Sequence, residues 1–155
     1  MKNFLKNRDF ILFSIIIFGV IIVGFANPYF VQPSSLSDVL TDTSILIILA
    51  LSQMIVILIR AIDLSVASNL ALSGMLISLL STVYPELPVI FFILLSCIIG
   101  TFLGVLNGVS IAILKVPFIV TTLGTLSIYR GLIYFVSDGK QVYSHEFSEN
   151  FLALI

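Results

Sequence analysis

The stretch IRAIDLSVASN, residues 59–69, places a cation, Arg60, three positions before an anion, Asp63, between two long apolar runs. Ser65, Asn69 and Ser73 follow at four-residue spacing, which helical geometry stacks close to one face. A second polar set lies in PFIVTTLGTLSIYRG, which holds Thr121, Thr122, Thr125, Ser127, Tyr129 and Arg130. Asn107 stands inside an apolar run, where an amide needs a partner or a wet cavity. Hydroxyls and amides supply donors and acceptors without net charge, which suits a neutral polyhydroxylated ligand. The candidates for lining such a pathway are Asn69, Ser73, Asn107, Thr121, Thr125 and Ser127. For each of them the alternative role is a hydrogen bond between helices.

Covalent chemistry finds little support. The stretch DGKQ, residues 138–141, lacks the first glycine and the hydroxyl of a phosphate-binding loop. His145 is the only histidine and sits beside Glu146 in a loop, so a metal site is not expected. An intramembrane aspartyl protease would need a second aspartate to pair with Asp63, and no other apolar segment carries one. Cys97, the single cysteine, lies in an apolar run and reads as a small hydrophobe. Neither an enzymatic activity nor a cofactor is expected of this chain.

The elements that position these residues must be membrane helices. Of 155 residues, 59% are hydrophobic and 10% charged, and the mean hydropathy is +1.23. A soluble domain is about 45–50% apolar and about 25% charged, so the bilayer is the expected solvent. A net charge of −1 excludes the basic face that nucleic acids require.

Five apolar segments follow: 10–26, 44–59, 64–83, 89–114 and 118–136. Runs this long lack the in–out alternation of barrel strands, so the expected fold is all-α, a single transmembrane domain of about five helices. The second segment, with 16 residues, is short for a span and should extend at either end. Prolines mark the turns in ANPYFVQPSS (26–35), YPELP (84–88) and KVP (115–117). Pro117, Gly124 and Gly131 suggest that the fifth segment is a broken or partly re-entrant helix. The basic start and the Gly24-Phe25-Ala26 end of the first segment resemble a signal peptide, but its 17-residue core favours an uncleaved helix.

Lys2, Lys6, Arg8, Arg60 and Lys115 fall on one side of the membrane if every segment crosses once, and Lys140 falls on the other. That asymmetry places the N-terminus in the cytoplasm. It also accounts for the opening pair. A central Arg or Asp costs about 2.5–3.5 kcal/mol to insert, against a gain of about 0.3–0.6 for each Leu, Ile or Val. An interfacial turn is cheaper, with Arg60 ending the second helix and Asp63 or Ser65 capping the third. In the fourth helix Ser96, Gly100, Gly104, Gly108 and Ala112 recur every four residues, the pattern of a helix-packing seam.

The segments IDLSVASNLALSGML (62–76) and GVLNGVSIAILKVPFIVTTLGTLSIYRGL (104–132) resemble the permeases of bacterial ribose/xylose-type ABC sugar importers. The resemblance covers residues 45–140 and rests on Asp63 and Ser65 in one motif. In the other it rests on Gly124, Thr125, Tyr129, Arg130 and Gly131, with Thr121 where alanine is usual. RAIDLS departs from the GGIDLS common in the ribose branch, so Arg60 inherits no family role. SNLALSG and SHEFSENF look most like rhamnose-type members, with ribose and autoinducer-2 types as alternatives. The resemblance implies an inner-membrane permease subunit, here its N-terminal half. Its expected partners are a separate ATPase that uses the ATP, an extracytoplasmic sugar-binding protein, a second permease chain and membrane lipid. The alternative is a small membrane scaffold or assembly protein whose polar residues only join helices.

Overall fold

The structure is a computed structural model that describes residues 8–147 and 149–152. Lys2 and Lys6, two of the residues behind the expected orientation, lie outside the described residues, as does the end of the final apolar run. The described elements are α1 (Arg8–Ala26), α2 (Pro33–Leu58), α3 (Val66–Val83), α4 (Val89–Ala112), α5 (Phe118–Ser137) and the short α6 (Glu149–Leu152). Helices α1 to α5 are each long and apolar enough to cross a membrane. The chain divides into two compact units, residues 1–51 and 52–155, with α2 running from one into the other.

In the first unit α1 is apolar on every side and nowhere buried, the surface of a helix solvated by lipid. Asn27 ends it and caps the next 3-10 turn, Pro28–Val31, by accepting from the Tyr29 N–H at 3.2 Å. The turn folds back so tightly that a Cβ on Gly24 would lie 3.1 Å from Val31 Cγ1, so glycine fits there best. Helix α2 begins at Pro33, eleven residues before its apolar run. Proline at the first helical position lacks only an N–H that would be unpaired anyway, and the polar residues after it need no hydrocarbon.

In the second unit α3 packs on both α4 and α5. Each helix contributes one pair at four-residue spacing: Leu72 and Leu76, Ile99 and Leu103, Tyr129 and Ile133. Leu72, Leu103 and Tyr129 are fully buried at the centre. Phe92, near the start of α4, meets Phe151 of α6 edge-on at 5.7 Å, and Phe151 in turn stacks on Phe147 at 5.0 Å. Helix α5 runs unbroken, a correction to the expected interruption. Its glycines are tolerated, while Thr122, Thr125 and Ser127 return their hydroxyls to carbonyls of their own helix.

The irregular backbone lies instead between α2 and α3. Arg60 N–H donates to Ile57 O and Ala61 N–H to Val56 O, the paired bonds of a Schellman end. That motif puts Arg60 at φ +57, the left-handed conformation that glycine fills without strain. Arg60→Gly should therefore stabilise the detergent-solubilised protein by up to about 1 kcal/mol. Arg60→Ala, which keeps a Cβ, should not. Equal melting temperatures for Arg60→Gly and Arg60→Ala would show that the backbone there is unstrained.

Candidate functional site

The α2–α3 connection is pinned from three sides. Gln53 Nε2 donates to Asp63 O at 2.8 Å, and Thr122 Oγ1 approaches Ile62 O at 3.4 Å. Asp63 Oδ1 accepts from the Ser65 N–H at 2.8 Å and from Ser65 Oγ at 2.7 Å. Ser65 Oγ accepts in turn from Asn107 Nδ2 at 2.7 Å, which ties the connection to α4. Ser65 occupies the N-cap position of α3 without capping it through its own side chain; its hydroxyl serves Asp63 instead. No ion pair joins Arg60 to Asp63 among the described residues.

These bonds fix the depth of the connection. Thr122 is the fifth residue of α5, and Asn107 stands five residues before the end of α4. At about 1.5 Å per residue, the connection sits about 6–8 Å inside the ends of its neighbours. The sequence places Asp63 at an interfacial turn, at the start of the third helix. The structure draws it in among polar side chains, half-buried, and leaves Arg60 exposed. Non-helical backbone at such depth is tolerated only where protein satisfies its polar groups, as Gln53 does for Asp63 O, Thr122 for Ile62 O and Asp63 Oδ1 for the Ser65 N–H. Gln53 escaped the sequence reading, although the rule applied to Asn107, that an amide in hydrocarbon needs a partner, would have found it.

Beside the connection opens a cavity of about 540 Å³, its lining apolar at Ile59, Ile111 and Phe118 and polar at Asp63, Asn107, Lys115 and Thr122. Asn107 Oδ1 is buried without a partner, and so is Thr121 Oγ1. Asn69 and Ser73 serve the α3–α4 contact. Asn69 Nδ2 donates to Gly100 O at 3.2 Å, and Ser73 Oγ donates to Asn69 Oδ1 at 3.2 Å. Thr125 is half-buried and Ser127 exposed. Tyr129 is buried, and its hydroxyl donates to Leu103 O at 2.8 Å. Gly124 and Gly131 face open space, as does Arg130, the thirteenth of α5's 20 residues. Arg130 lines a cleft of about 390 Å³ with Ala67, Ser68, Ala71 and Tyr134.

The small-residue stripe of α4 is only partly occupied. A Cβ on Gly100 would touch Asn69 and Ser73 at 3.8 Å, whereas nothing lies within 4 Å of one on Gly104 or Gly108. Ala112 is exposed, and Ser96 is half-buried with its hydroxyl on Ile93 O. The face that α4 buries carries Ile99, Leu103 and Asn107, one residue, or about 100° of helix, around from the glycines.

A family model described as branched-chain amino acid transport system / permease component matches residues 35–153. The chain belongs to that permease family. It is 38% identical over 146 residues to the ribose import permease protein RbsC of Haemophilus influenzae, a match covering 94% of this chain and 43% of the relative. It is 36% identical over 144 residues to the autoinducer 2 import system permease protein LsrC of Enterobacter sp. (strain 638), covering 92% and 41%. The chain therefore spans about two fifths of the length of these relatives. No solved structure matches it. With the family and five apolar helices, the protein is a multi-pass membrane permease component.

Proposed function

We propose that this chain is part of the inner-membrane permease subunit of a binding-protein-dependent ABC importer that passes a monosaccharide-like solute. The observation that carries the reading is its similarity, over more than nine tenths of its length, to permeases named for ribose and autoinducer 2 import. The uncharged polar groups support it, because a neutral sugar is guided by hydrogen bonds rather than by ion pairs. The driving ATPase, the solute-delivering binding protein and a second permease chain are separate subunits, and this chain performs no covalent chemistry. The pathway runs past Thr121, Thr125 and Ser127 of α5 and the polar flank of α3 at Asn69 and Ser73. Ribose and autoinducer 2 are the first solutes to try. SNLALSG and SHEFSENF add rhamnose as a third.

The test is uptake in cells that lack their own permease but keep the matching ATPase and binding protein, complemented by the full-length protein that contains these residues. Labelled ribose should enter and be competed by the preferred solute. Cysteines at Thr125 and Ser127 should react with a water-soluble maleimide. No uptake of ribose, rhamnose or autoinducer 2, together with unreactive cysteines, would favour a membrane scaffold whose polar residues only join helices.

A further inference from the structure

Arg130 carries a charge where a membrane helix can least hold one. It is the thirteenth of 20 residues in α5, so at about 1.5 Å per residue it stands about 18 Å from one end of the helix and about 10 Å from the other. Helical side chains lean toward the helix N-terminus, so its guanidinium points away from the nearer end. Among the described residues it is exposed and takes part in no hydrogen bond or ion pair. A guanidinium at such depth needs water or a partner rather than lipid. Its surroundings form a cleft. Ala67 and Ala71 of α3 are small enough to leave about 390 Å³ open, and Ser68 and Tyr134 line the same space. The Ser68 hydroxyl donates to Ser65 O and leaves its lone pairs free to accept, while the Tyr134 hydroxyl has no partner among the described residues. A second cavity, of about 230 Å³, shares Ile133 and Tyr134 with the first and runs on to Lys140 and Gln141. The two make one groove between α3 and α5, from the middle of the span to the loop beyond α5. Neither lining carries an acid.

We propose that this groove is the extracytoplasmic half of the solute pathway and that Arg130 binds the passing sugar by its hydroxyls. The Lys/Arg asymmetry puts the end of α5 on the outer side, where a binding protein would release its solute. A guanidinium presents five donors in a planar fork, which two adjacent hydroxyl oxygens of a sugar accept together. The sugar's own protons go to Ser68 Oγ and the Tyr134 hydroxyl, so binding needs no countercharge. Ser127, Arg130 and Tyr134 fall on one face of α5, which carries the groove inward to a residue already placed on the pathway. A phospholipid suits the groove less: Lys140 would meet its phosphate, but its tail would lie against Arg130. The inference rests on the sugar-importer reading and adds to it the residue that holds the solute at mid-depth.

The test uses the full-length protein with its ATPase and binding protein, in cells that lack their own permease. Cysteines replacing Ala71 and Gln141 should react with a membrane-impermeant maleimide added outside. A cysteine replacing Ile128, which is 58% exposed at nearly the same depth but about 200° around α5 from Arg130, should not. Arg130→Gln should lower the saturating rate of sugar uptake at least tenfold at an unchanged amount of permease. Arg130→Lys, which keeps the charge and loses the fork, should restore only a fraction of it. Full uptake by Arg130→Lys would show that charge alone is needed, as for a carboxylate partner on another helix, and would overturn the proposal. So would the parent rate in Arg130→Gln, or a cysteine at 71 as unreactive as the one at 128. If Arg130→Gln does not accumulate, Ala71→Met, which fills the cleft beside the unchanged arginine, should block uptake, and the parent rate in that variant would overturn the proposal as well. A parent that imports none of ribose, rhamnose and autoinducer 2 would count against the sugar reading, and the labelling at 71 and 128 then decides the groove by itself.

Discussion

Tyr129→Ala should destabilise the second unit by about 2–4 kcal/mol, the largest effect expected of a single substitution in this chain. Tyr129 is 2% exposed and packs between Leu72 of α3 and Leu103 of α4, so truncation leaves a void where three helices meet. The range lies below that of a soluble core because lipid is as apolar as leucine, which leaves lost packing rather than transfer from water as the main cost. Tyr129→Phe keeps the ring and removes only the 2.8 Å bond to Leu103 O, a loss of about 0.5–1.5 kcal/mol. Thermal melts in detergent, with both variants beside the parent, check the ladder. If phenylalanine proved as damaging as alanine, the hydrogen bond and not the packing would hold the three helices.

Ser65→Ala should cost about 2–3 kcal/mol, although it removes a single oxygen. Ser65 is 1% exposed and stands between Asp63 and Asn107, giving a hydrogen bond to the Asp63 carboxylate and receiving one from the Asn107 amide. Without it Asn107 Nδ2 joins Oδ1 as an orphan, and Asp63 keeps only the Ser65 N–H of its two donors. Ser110→Ala is the control. Its hydroxyl only returns to Leu106 O on its own helix, so the change should fall within about 0.5 kcal/mol. Combining Ser65→Ala with Asn107→Leu should cost less than the sum of the two single changes, because the orphaned amide is gone. A Ser65→Ala melt indistinguishable from that of Ser110→Ala would remove the network from the account of stability.

The two expected losses differ in how far the sequence foretold them. Apolar run length set the number of helices, since each run is long enough to span the hydrocarbon. Proline set two boundaries closely: α4 starts at Val89 after Pro88 and α5 at Phe118 after Pro117, as expected. Helix α2 extends upstream of its apolar run as expected but by eleven residues, because apolarity marks what lies in lipid, whereas helix formation continues into the polar SSLSDVLTDT. The glycines of α5 suggested a break, yet a glycine inside a helix costs only about 1 kcal/mol, which neighbouring contacts can offset. Here a local signal was outweighed by packing on α3.

By itself, then, the sequence determined the solvent, the helix count, the family motifs and the uncharged polar character of the interior. Each is a property of local composition or of residues a turn or two apart. The tertiary structure decided which polar residues meet. Ser65 and Asn107 are 42 positions apart, and Thr122 and Ile62 are 60 apart. Their pairing depends on how far one helix slides along another, and no local pattern encodes that register. It also decided that Asp63 is drawn inward, that Asn69 and Ser73 bind α4, and that Gly104 and Gly108 stand open while Gly100 is filled. Four-residue spacing places the glycines on one face of α4. Whether that face is covered depends on where Leu103 and Asn107 turn the helix as they pack against α3 and α5, and that is settled only when the three helices come together.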